Sequence, residues 1–145
     1  MAERKVNFGA YAILEPVKYQ FAKMPEWYWV IEPPTSRDEL QMAKFYNAPQ
    51  ITIGPAGTSR PGLPTWIETA HREIALTFGG TNIPLADVAV EDGGEPLVKV
   101  GMSVDEIEAI LGAMPQEIVS EIWAAIGAIV PTWGPYKGEP TDSKN

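Results

Sequence analysis

The chain lacks cysteine, has a single histidine, and carries few cations in its second half. Each scarcity removes a class of chemistry. Without cysteine there are no disulfides, thiolate metal sites, thiol nucleophile or thiol redox couple, and a reducing compartment is expected. With His71 as the lone histidine, no H-x-x-x-H zinc pair can form. No G-x-S-x-G elbow marks a hydrolase. The Gly-rich stretch at residues 54–64, GPAGTSRPGLP, has no lysine and no Walker spacing, so it reads as a connector rather than a phosphate cradle. Apolar runs fall well short of the about 20 residues that a membrane-spanning helix needs. No apolar run follows the charged start Met1-Ala2-Glu3-Arg4-Lys5, so neither a signal peptide nor a membrane partner is expected.

Charge is unevenly placed. Residues 1–64 hold seven Lys/Arg and six Asp/Glu, a net +1; residues 65–145 hold four and thirteen, a net −9, which together give the −8 of the whole. An acidic half repels phosphate backbones, so nucleic acid is not an expected partner. A basic protein surface would suit it, although acidic charge alone also serves solubility. At 145 residues with 45% apolar content, the chain is sized for one domain with its own core. We place that domain at residues 1–133, followed by a polar, turn-rich tail at 134–145.

Alternating patterns predict strands at residues 5–14 and 17–21, and a third strand is expected at 27–31, where the alternation fails. In the third, WYWVI, both faces are apolar, as in a central strand covered twice. After Pro33-Pro34, Ser36 and Glu39 have capping-box spacing and predict a helix to Asn47. Residues 50–53 suit a short edge strand, and the proline- and glycine-rich residues 54–64 exclude regular structure. Thr65 and Glu68 open another helix with Trp66, Ile67, Ala70, Ile74 and Phe78 as its stripe, and Gly79-Gly80 supplies its stop. Residues 85–90 and 97–100 pair as a hairpin or form a solvated linker.

The most informative stretch is residues 103–133, SVDEIEAILGAMPQEIVSEIWAAIGAIVPTW. Ser103 and Glu106 form a capping box, Gly112 ends a first helix, and Pro115 begins a second that runs to Val130. From Ile122 to Val130 nothing is polar, so this helix is buried in its own domain or covered by a partner. The expected fold is therefore α+β: a small antiparallel sheet of three to five strands, helices on one face, and a C-terminal helical pair.

No catalytic, cofactor or metal constellation stands out. His71, flanked by Glu68 and Glu73, can serve as a general base in a cleft, or is simply a helix histidine. Glu91, Asp92 and Glu95 lack calcium-loop spacing. Trp27, Tyr28 and Trp29 read as core before they read as a stacking platform. Trp133-Gly134-Pro135-Tyr136 is either a latch folded back on the domain or a docking motif. The partner-binding candidates are Ile122, Trp123, Ile126, Ile129, Val130, Trp133 and Tyr136.

The order of parts, short strands, then WYWVIEPPTSRDELQMAKFYN, then a helical segment and loose tail in an acidic cysteine-free chain, resembles the tail assembly chaperones of long-tailed bacteriophages. That resemblance implies a non-enzymatic protein that shields apolar helical segments of a tape-measure protein in the bacterial cytoplasm, with homo-oligomers allowed. Two other readings stay open: a small enzyme using carboxylates and His71 in a cleft, and an acidic regulator occupying a basic surface.

Overall fold

The computed structural model describes residues 15–47, 50–53, 59–62, 65–130 and 132–135. The strand expected at residues 5–14, and Tyr136, lie outside them. In chain order the elements are β1 (Val17–Gln20), β2 (Tyr28–Ile31), α1 (Ser36–Asn47), β3 (Gln50–Ile53), β4 (Ser59–Gly62), α2 (Trp66–Leu76), β5 (Phe78–Thr81), a 3₁₀ turn (Val90–Asp92), α3 (Val104–Gly112) and α4 (Gln116–Ile129). The fold is α+β. An antiparallel three-stranded sheet, ordered β1-β2-β5, accompanies four α-helices, the last two forming the expected C-terminal pair.

Register explains which sheet face is inside. Tyr19 lies opposite Trp29, and Trp29 opposite Thr81, so these three share one face. Trp29 and Ile31 are fully buried there, and Tyr19 donates from its hydroxyl to Glu121 of α4. Burial raises the Tyr19 phenol to about 12, helped by that hydrogen bond and by the Glu121 charge. Glu121 also accepts from the Ala22 backbone at 2.7 Å. On the other face Tyr28 and Val30 are only half-buried, and Lys18 lies over the Tyr28 ring at 4.2 Å. The second face of WYWVI is thus half-covered, where the apolar pattern implied full cover.

Gly79-Gly80 is strand, not helix stop. Helix α2 ends at Leu76 because Thr77 turns its hydroxyl onto the Glu73 carbonyl at 2.7 Å, and the chain then pairs with β2. A Cβ on Gly79 would lie 2.7 Å from Glu32 Cγ and 2.8 Å from Val30 Cγ1, so the close strand approach requires glycine. Beyond β5, buried Asn82 accepts from the Tyr28 amide at 2.8 Å and donates to the Glu26 carbonyl and to Glu91. Residues 85–90 and 97–100 form no hairpin strands. A single bridge, Pro84 with Pro96, closes that loop, with Leu85 and Leu97 amides donating across it. Pro84 and Pro96 are the non-hydrogen-bonded pair of that bridge, and the pairing goes no further because residues 85–88 and 97–98 bend away from it. Residues 54–64 were expected to be irregular, yet Ser59–Gly62 pairs with Gln50–Ile53.

Both predicted capping boxes on α2 and α3 are present, Thr65 with Glu68 and Ser103 with Glu106. On α1 the cap is shifted by one residue. Thr35, not Ser36, caps: it accepts from the Asp38 amide, and the Thr35 amide donates to Asp38 at 2.9 Å. That shift releases Glu39 for a distant contact. Pro115 stands at the N-cap of α4 rather than in its first turn. Val130 is already extended, as the residue before Pro131 must be.

Helix α2 is the hub, packing against α1, α3 and α4 and leading directly into β5. One cluster of buried side chains joins Phe21, Trp29 and Ile31 of the sheet region to Ile74, Ile107, Leu111, Ile122, Ile126 and Trp133. Among the described residues no helix is long and apolar enough to cross a membrane.

Candidate functional site

The residues proposed from sequence as partner-binding are mostly taken up by the chain itself. Ile122 and Ile126 are fully buried, Trp123, Val130 and Trp133 are buried, and Ile129 is half-buried against the same core. None of the buried five offers its side chain to a partner in this conformation. Their cover comes largely from the α2 face and from the segment after α4, which folds back as a latch.

The latch closes on two carboxylates. Glu73, in the middle of the buried stripe of α2 and 1% exposed, accepts from Trp123 Nε1 at 2.8 Å and from the Gly134 amide at 2.9 Å, both on Oε1. Glu39, freed by the shifted cap of α1, accepts from Trp133 Nε1 at 3.2 Å. Backbone meets backbone beneath: a Cβ on Gly134 (φ +89°) would fall 2.4 Å from Gly127 Cα. Only glycine at 134 allows that approach and that left-handed conformation. Sequence reasoning treated Glu73 as a companion of His71. The signal for its real place was available: at i+3 from Ala70 and i+7 from Trp66 it falls inside the apolar stripe, where a carboxylate needs buried donors.

His71 points elsewhere. A cleft of about 520 Å³ between α1, α2 and α3 is lined by Gln41, Lys44, Phe45, Glu68, His71, Arg72 and Glu108. Glu68 and His71 therefore share a cleft with a second acid, while Glu73 does not join them. Burial lowers the His71 imidazole below its ordinary value. Burial pushes the Glu108 carboxyl up; the Arg72 charge pulls it back, and Asp105 and Glu68 push it further up. Arg72 Nε sits 2.8 Å from Glu108, an ion pair, and its guanidinium lies 5.2 Å from the Phe45 ring centre. Glu68 is bound to the α2 cap through the Thr65 amide at 2.8 Å. The acids of the cleft are thus already engaged, which leaves His71, Lys44 and Gln41 as its least committed polar groups. Among the described residues no group of three or more His, Asp or Glu is placed to hold a metal ion.

A different surface has the character of a contact site. Trp66 and Ile67, at the start of α2, remain 44% and 40% exposed. They border a pit of about 160 Å³ whose other walls are His71, Leu111, Gly112, Met114, Gln116 and Val119. Trp66 is held in place: its ring stacks on Trp123 at 5.7 Å with an 18° tilt. Across the first turn of α4 lies a second, more apolar groove of about 220 Å³, lined by Phe21, Met24, Trp27, Pro115 and Ile118 and edged by Lys23, Glu117 and Glu121. Gln116 and Val119 face the pit, whereas Glu117, Ile118 and Glu121 face the groove, so the two hollows flank the α3–α4 junction. Sequence reading assigned Trp66 and Ile67 to the buried stripe, because helical periodicity does not tell the edge of a stripe from its centre.

Comparison with protein-family models, curated proteins and solved structures gives no match to this chain.

Proposed function

We propose that this chain is a non-enzymatic binding protein that docks an apolar helical segment of a partner at the pit between α2, α3 and α4. The observation that carries this is the exposed pair Trp66 and Ile67 beside that pit. A large aromatic held rigid by stacking, next to a recess, is the usual form of an interface anchor. The recess is close to the volume of an engineered cavity that admits benzene, about 150 Å³, so it fits one aliphatic or aromatic side chain. The organisational resemblance to phage tail assembly chaperones supplies the partner class, a tape-measure-like helix in the bacterial host cytoplasm.

The test places a photo-crosslinking side chain at position 67 and, as a control, at exposed Asp87, in cells that make the protein. A discrete adduct from position 67, absent from position 87 and lost on Trp66→Ala, supports docking. No adduct from position 67, with a strictly monomeric protein in light scattering, sinks it.

A second reading has one observation in its favour: Glu68, His71 and Glu108 line one cleft, the arrangement an acid–base enzyme would use. The engagement of Glu68 in a helix cap and of Glu108 with Arg72 places it behind the binding role.

A further inference from the structure

We infer that the docked partner is a basic amphipathic helix, laid across the α3–α4 junction with one apolar side chain in the α2–α3–α4 pit and another in the groove beneath the β1–β2 loop. The inference rests on the proposed binding role and adds the partner's chemistry. Its first support is charge. Residues 103–130 contain Asp105, Glu106, Glu108, Glu117 and Glu121, and no Lys, Arg or His. Nearby cations are few and engaged: Arg72 pairs with Glu108 and Lys23 with Glu117. The Lys23–Glu117 pair is largely exposed and lies at the groove edge. Exposed pairs of this kind contribute little, so an incoming guanidinium can take Glu117 from Lys23 at small cost. Such a field attracts a basic face and rejects an acidic one.

The second support is shape and polarity. The two hollows sit on opposite sides of one helical turn, each sized for a single large apolar side chain. Phe21, Met24, Trp27 and Ile118 make the groove walls apolar, and Met24 adds an adaptable thioether side chain. Two apolar anchors flanked by carboxylates fit a helix with an apolar stripe and Lys/Arg at its borders.

The test uses three fluorescent peptides of about 18 residues, near five helical turns. One is a Leu/Lys amphipathic helix, the second replaces Lys by Glu, and the third scrambles the first so that no apolar face forms. Binding is read by anisotropy. The expected result is tightest binding of the Leu/Lys amphipathic peptide, with the other two at least about tenfold weaker, a gap of about 1.4 kcal/mol in binding free energy. Raising ionic strength from about 0.1 to 1 M shortens the Debye length from about 10 to 3 Å and should weaken the amphipathic complex. Asp105→Asn with Glu117→Gln should weaken it about threefold to tenfold, two exposed pairs' worth. Ile67→Ser and Met24→Ser should each weaken it by more than the loss of folded protein, read from the unfolding curve of the same variant, accounts for. Equal binding of the Glu peptide or of the scrambled peptide overturns the inference, as does no binding by any of the three. The cross-linker at position 67 separates the two claims. A captured segment that is acidic or uncharged removes this inference and leaves the docking role; no capture removes both.

Discussion

Replacing Glu73 by leucine tests how the latch is held. The carboxylate is 1% exposed and accepts hydrogen bonds from Trp123 Nε1 at 2.8 Å and from the Gly134 amide at 2.9 Å. Hydrogen bonds to a charged group contribute about 1.5–3 kcal/mol each, so the gross loss is about 3–6 kcal/mol. Removing a buried charge gives part of this back, since its desolvation opposes folding by several kcal/mol. Both donors, however, stay buried without that acceptor. We expect a net loss of about 2–4 kcal/mol, a large share of the about 5–15 kcal/mol of a typical domain. With a urea slope of about 2 kcal/mol/M, the midpoint followed by tryptophan fluorescence should fall by about 1–2 M.

Glutamine at the same position keeps one oxygen acceptor but loses the charge, so Glu73→Gln should fall between wild type and Glu73→Leu. Amide exchange at Gly134 gives an independent reading, because its protection depends on the latch being closed. A leucine variant as stable as wild type, with Gly134 still protected, would refute the reasoning. The latch would then be held by Trp133 packing, the Trp133 indole bond to Glu39 and the glycine contact.

The phenol of Tyr19, raised from 10.0 to about 12, links stability to alkaline pH. A raised folded-state value stabilises below the unfolded value and is lost as pH climbs, so the window is pH 10 to 12. Tyr19→Phe should flatten stability across that window, and Tyr19 absorbance at 295 nm should titrate late. The His71 imidazole is lowered by burial, so its contribution is present above 6.5 and is lost as pH falls through the lower folded value. An NMR titration of His71 should show a midpoint below 6.5, and a midpoint above it would contradict the burial seen here. Two glycines should respond oppositely to alanine. Gly134→Ala meets Gly127 Cα at 2.4 Å from φ +89° and should lose at least about 2 kcal/mol in urea unfolding. Gly112→Ala enters open space in the last turn of α3 and should gain up to about 1 kcal/mol.

What was legible in the sequence was local. Thr65 with Glu68, and Ser103 with Glu106, carry their whole explanation within four residues, and both caps are found. The C-terminal helical pair follows from Gly112, Pro115 and the isoleucine spacing. Failures came where a distant partner overrides a local signal. Gly79-Gly80 looks like a helix stop, yet pairing with β2 makes it strand, and Gly79 passes Val30 and Glu32 where a Cβ would clash. Ser36 looks like the α1 cap, but Thr35 takes that place and Glu39 instead receives the Trp133 indole, 94 residues away. The same holds for α4. Its apolar end admitted two covers, another element or another chain, and hydrophobic pattern alone does not distinguish them.

The latch and the docking face are not separate features. Trp66, the exposed anchor, stacks on Trp123, and Trp123 donates to the carboxylate that also holds Gly134. The ring that a partner would touch is therefore positioned by the contact that closes the C-terminal segment. A rigid anchor loses little side-chain freedom on binding, and that is where preorganisation contributes to affinity. If Glu73 is removed, Trp123 loses the Glu73 acceptor and Trp66 loses a fixed surface to stack on. Glu73 variants should then weaken docking at Trp66 without touching the partner, and should do so in proportion to the lost protection of Gly134. A surface substitution such as Glu117→Gln, at the groove edge, should weaken docking with that protection unchanged. This contrast separates a residue that organises the face from one that belongs to it.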